Sequence, residues 1–70
     1  MVWIVQLWSP QTADILFEWK KDTEPEVRGL VKNILNRLAS LGYKVESESD
    51  TSILLRKDDI SLEILTFESL

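Results

Sequence analysis

The sequence predicts an α+β fold, a single helix packed on a mostly antiparallel sheet, with elements in the order ββαβββ. Three observations carry this. Apolar residues recur at i, i+3, i+4 and i+7 from Val27 to Leu41, the period of one buried helical stripe. Segments on both sides of that stripe are rich in β-branched and aromatic residues and alternate with a period of two. The stretches between them are short and polar. Seventy residues, 44% hydrophobic and 29% charged, have the composition of a folded globule. They are read as one domain spanning residues 1–70.

Residues 2–8 read as the first strand, and Ser9-Pro10-Gln11-Thr12 as turn chemistry. Residues 13–20 alternate Ala13, Ile15, Phe17 and Trp19 against Asp14, Leu16, Glu18 and Lys20, which predicts a second strand and a hairpin. Ser9-Pro10 also suits a helix start, N-cap followed by Pro. A helix over 10–21 is nevertheless disfavoured, because Ile15, Leu16 and Phe17 would then spread over about 200° of arc.

The helix runs between Thr23 and Gly42. Thr23-Glu24-Pro25-Glu26 matches a capping box, with Thr23 bonding the amide of Glu26 and Glu26 reaching back. The acids suit the positive end of the helix dipole, and Pro25 in the first turn sacrifices no internal hydrogen bond. Val27, Leu30, Val31, Ile34, Leu35, Leu38 and Leu41 fall within roughly 140° of arc. Gly42 is placed to take the left-handed conformation that ends the helix. Strands are expected over 43–48, with Tyr43 and Val45 inward, over 52–57, and over 60–67, where Ile60, Leu62 and Ile64 alternate with Ser61, Glu63, Leu65 and Phe67. Glu68-Ser69-Leu70 is expected to fray.

Strand residues supply more apolar surface than one helix shelters. Pairing Trp8 with Ala13 places Val2, Ile4 and Trp8 with Ala13, Ile15, Phe17 and Trp19 beneath the helix. Trp3, Val5, Leu7 and Leu16 then face the other way, as do Leu54, Leu65 and Phe67. A half-solvated sheet should be polar there, and an apolar cluster of that size marks an interface. The expected interface residues are Trp3, Val5, Leu7, Leu16, Leu65 and Phe67. Strong twist, or a curl into a half-barrel, would bury them within the monomer instead. A register slip of one residue would exchange the faces of a strand.

Catalytic material is poor. The chain has no Cys and no His, so it offers no thiolate nucleophile, imidazole base or serine triad. Its two glycines, Gly29 and Gly42, build no phosphate-binding loop. Glu18, Glu46, Glu48 and Asp50 are the only candidates for carboxylate chemistry, and they read as solvated charges. Glu46-Ser47-Glu48-Ser49-Asp50 resembles the start of a calcium loop but lacks its glycine and closing glutamate. No enzyme, metal or cofactor is expected, and carboxylates alone seldom build a zinc site.

The net charge of −4 argues against general nucleic-acid binding. Three tryptophans suggest base stacking, but only Trp19 has basic neighbours, and core roles are favoured. Arg28, Lys32, Arg37 and Lys44 form the basic set that a nucleic-acid binder using the helix would need; flanking Lys and Arg more often snorkel along a buried stripe. The acids Glu46, Glu48, Asp50, Asp58, Asp59, Glu63 and Glu68 suggest a mimic of a phosphate backbone directed at a basic partner protein. Met1 leads straight into Val2-Trp3-Ile4-Val5 without a basic signal-peptide region, and no apolar run reaches the ~20 residues of a membrane span. The expected compartment is the cytoplasm. The leading expectation is a non-catalytic protein-interaction or assembly module, pairing with itself as a homodimer or with another protein, and not with a membrane.

Overall fold

A computed structural model describes residues 2–69; Met1 and Leu70, on which the signal-peptide and frayed-end expectations partly fall, lie outside the described residues. The elements are β1 (Val2–Ser9), β2 (Asp14–Lys21), α1 (Glu24–Ser40), β3 (Lys44–Glu48), β4 (Ser52–Lys57) and β5 (Ile60–Ser69). One five-stranded sheet has the order β2-β1-β5-β4-β3, and every neighbouring pair is antiparallel. The first and last strands therefore lie side by side within the sheet, and β2 and β3 form its edges. The α+β class and the ββαβββ order are as the sequence predicts.

Local chemistry explains the helix boundaries. Thr23 is extended at the N-cap, and its Oγ1 accepts from the Glu26 amide at 3.4 Å. The Glu26 carboxylate accepts from the Thr23 hydroxyl at 3.2 Å, a variation on the expected box. At the other end Gly42 has φ +101°. Its amide donates to Ala39 and that of Tyr43 donates to Leu38, both at 3.0 Å, which is the paired bonding of a Schellman cap. The Lys57 ammonium donates to the Leu41 carbonyl at 2.7 Å and supplies positive charge at the helix C-terminus.

The core is one layer of side chains between helix and sheet: Val5, Leu7, Val27, Ile34, Leu38, Leu55, Leu62 and Ile64. Trp3, Trp19, Leu30, Val31, Leu35, Tyr43 and Ile53 pack around them. Leu41, expected within the stripe, is 58% exposed because it is the cap residue at the helix end. Val45, expected inward, is 51% exposed: it lies opposite buried Leu55, but on an edge strand the helix does not cover.

The first hairpin differs from expectation in one decisive way. Residues 10–21 hold no helix; β2 pairs with β1, but Trp8 lies opposite Ile15 rather than Ala13, and Leu7 lies opposite Phe17. Leu16 is the extra residue of a β-bulge. Ala13, at φ +59°, closes the four-residue turn, its amide donating to the Ser9 carbonyl at 2.8 Å. One inserted residue reverses the side to which all later β2 residues point. Phe17 and Trp19 therefore share a face with Trp3, Val5 and Leu7, and Ile15 shares one with Trp8. Glu68 and Ser69, expected to fray, pair with Trp3 and Val2.

Candidate functional site

The bulge decides which side of β1 the helix covers. Val5 is fully buried, Leu7 is buried and Trp3 packs against the core, so these three expected interface residues lie beneath α1. That face assignment is corrected. The physical cause is the Leu16 insertion, which lets Phe17 and Trp19 join the Val5 row. Leu16 itself is 46% exposed on the edge strand. Leu65 and Phe67 do lie on the side away from the helix, since Ile64 between them and Leu62 is buried. The six expected residues are thus divided between the two faces and an edge.

The surface left uncovered is nonetheless apolar. Register places Ile4 beside Phe67, Gln6 beside Leu65, Trp8 between Ile15 and Glu63, and Leu54 on the other side of Glu63. Val2 continues the row at one end. These side chains alternate with the buried ones, and α1, the only helix among the described residues, lies on the opposite face. The outer strand axes of a five-stranded sheet are about 19 Å apart, and a helix is about 10 Å across. One helix cannot reach around to a second face.

Two polar contacts order this surface. Trp8 Nε1 donates to Glu63 Oε1 at 2.6 Å, and Gln6 Nε2 donates to Glu18 Oε2 at 2.7 Å. Arg56 sits 3.7 Å from Glu46. With Lys20 and Lys44 these groups give the face three cations, Lys20, Lys44 and Arg56, against three anions, Glu18, Glu46 and Glu63. The chain as a whole carries −4, so this face is balanced where the rest of the molecule is acidic.

The helix side carries two openings. A cleft of about 400 Å³ lies between the N-terminal half of α1 and the β3–β4 turn, floored by Trp3, Val31, Ile53 and Ile64 and rimmed by Arg28, Lys32, Glu48 and Asp50. A smaller apolar groove of about 280 Å³ lies beside β2, between Phe17, Trp19 and Leu41. Arg28 faces the first and Arg37 the second, so the basic helix residues are split between its flanks; Arg28 is also paired with Glu24 at 3.1 Å. The acids divide too. Glu48 and Asp50 lie at one end of β4 and Asp58 and Asp59 at the other, while Glu46 and Glu63 are engaged by Arg56 and Trp8. Of the tryptophans, Trp3 and Trp19 pack against the core, and Trp8 lies beside an acid.

Among the described residues, no group of three or more His, Cys, Asp or Glu side chains is arranged to hold a metal ion, and no helix is long and apolar enough to cross a membrane. The fold and this surface define a small α+β domain with one sheet face unclothed. No protein-family model, characterised protein or solved structure matches the chain.

Proposed function

We propose that this chain is a non-catalytic assembly module that pairs with a second copy of itself through the open sheet face, centred on Ile4, Leu65 and Phe67. The observation that carries the reading is the row of Val2, Ile4, Trp8, Leu54, Leu65 and Phe67 on a face that the lone helix leaves bare. Stacking two sheets about 10 Å apart is the ordinary way to bury such a face. Balanced charge supports a second copy as the occupant: two acidic chains repel in general, but these faces carry equal numbers of each sign. Isologous contact also brings the same apolar patch to both sides.

The test follows from Phe67, which is 40% exposed. A phenylalanine presents about 200 Å², so about 80 Å² remains to be covered, worth about 2 kcal/mol per copy and about 4 kcal/mol across a two-fold contact. Sedimentation velocity over a concentration series is expected to show a dimer for the native chain. Phe67→Lys is expected to weaken it about a thousandfold while leaving the fold intact. A native chain that stays monomeric at the highest concentration, or a Phe67→Lys variant that dimerises equally well, refutes the reading.

A further inference from the structure

We propose that β2 also pairs edge to edge with β2 of another copy, about a two-fold axis through Trp19, joining two five-stranded sheets into one continuous sheet. This uses the backbone edge of the sheet rather than the centre of the open face, although Glu18 and Lys20 of β2 also border that face. β2 is the outermost strand on its side, so one row of its backbone amides and carbonyls is unpaired. It is also thinly clothed, with six of its eight residues exposed.

The two edges of the sheet are built differently. β3 has five residues and is interrupted near its middle by a bulge at Glu46, both of which blunt an edge. In β2 the bulge at Leu16 lies towards one end and leaves Phe17–Lys21 regular against Leu7–Trp3. In a continuous antiparallel sheet, opposed residues must share a face. Phe17, Trp19 and Lys21 lie on the helix side, and Glu18 and Lys20 on the open side.

Charge then selects the register. An axis through Glu18 opposes two glutamates, an axis through Lys20 opposes two lysines, and an axis through Phe17 runs the bulge into the ladder. An axis through Trp19 uses the whole regular segment. It sets Glu18 against Lys20 twice on one face, and Phe17 against Lys21 twice on the other, where an ammonium can meet an aromatic ring. A second observation lies at the same edge. Phe17, 61% exposed and stacked on Trp19 at 5.8 Å, and Leu41, 58% exposed, line the apolar groove beside β2. Edge pairing keeps both helices on one side of the joined sheet, so the two grooves meet across the axis.

Introduced thiols read this register directly, because the chain has no cysteine of its own. Residues directly opposed in such a pair have Cα atoms about 4.5–5.5 Å apart, within disulfide reach. Residue 18 of one copy lies two residues out of step with residue 18 of the other, about 8 Å away and beyond reach. Under mild oxidation, a mixture of Glu18→Cys and Lys20→Cys chains is expected to yield the linked heterodimer, and either variant alone to stay unlinked. Both positions are exposed, and far-UV circular dichroism checks that the variants are folded. Repeating the mixture in a Phe67→Lys background separates this contact from the sheet-face dimer, since linkage is expected to persist there. Charge variants in the same Phe67→Lys background give a second reading: Glu18→Lys and Lys20→Glu chains should each lose the edge contact and regain it when mixed. No heterodimer from the mixed thiols, or equal linkage of either variant alone, overturns the proposal.

Discussion

Ile64 and Leu65 are neighbours in sequence and alike in chemistry, yet they stand on opposite faces of β5. Ile64 is 1% exposed, set between Leu7 of β1 and Ile53 of β4 beneath the helix. Leu65 is half-buried between Gln6 and Ser52 on the open face. Ile64→Ala removes buried carbons from a one-layer core and leaves a cavity, a loss of about 3–4 kcal/mol. A chain of this length has about 4–10 kcal/mol of stability in all, so the variant stands at the edge of unfolding. Leu65→Ala forgoes only partial burial, about 1 kcal/mol in the isolated chain. With a urea m-value of about 1 kcal/mol/M for a domain this small, the midpoints should fall by about 3 M and about 1 M respectively.

Urea titrations of both variants, each over roughly two decades of protein concentration, separate core from proposed interface. The Ile64→Ala deficit is expected to be independent of concentration. The Leu65→Ala deficit should grow with concentration, because the proposed dimer would stabilise the native chain by mass action and the variant less so. Equal deficits at low concentration, or a larger one at Leu65, would refute the assignment of the two faces.

Other consequences concern single structural devices. Deleting Leu16 should leave the fold standing with a small change in melting temperature, because the residues on either side already match β1 in regular register; deleting Glu18 would turn the end of β2 inside out and unfold the chain. Gly42→Ala is expected to cost about 1–2 kcal/mol in thermal denaturation, since φ is +101° there and the new methyl carbon would lie 3.3 Å from Lys57 Cε. Thr23→Ala should cost about 1 kcal/mol by loss of the N-cap oxygen, read as a lower melting temperature with unchanged association. Glu46→Gln should change stability by less than about 0.5 kcal/mol, because the Arg56 pair is long and exposed.

Much of the architecture was legible because it is written in local chemistry. The cap at Thr23, the glycine after Leu41 and the 3.6-residue period of Val27 to Leu38 all act within a few residues. The alternation of Leu62 and Ile64 against Leu65 and Phe67 likewise identified the sides of β5 correctly, since that strand has no bulge. In the first hairpin, alternation without a bulge implies the opposite face of β1 inward from the one the structure buries. Pairing geometry there depends on Leu16, and nothing in the identity of a leucine among apolar neighbours marks it as the extra residue.

The six residues expected at an interface divide along the same line. Leu65 and Phe67 could be placed opposite the core from their own strand, whereas Trp3, Val5 and Leu7 could be oriented only once β2 was docked beside them. By itself, the sequence determined the helix and its ends, the five strands, and the surplus of apolar strand residues over what one helix covers. Tertiary structure alone decided the strand order β2-β1-β5-β4-β3, the bulge, and hence which side of β1 lies beneath the helix. The physical reason is range. Caps, periods and turns are settled by neighbours in the chain, but the side a strand presents is settled by its partner's register, and a single unpaired residue reverses it.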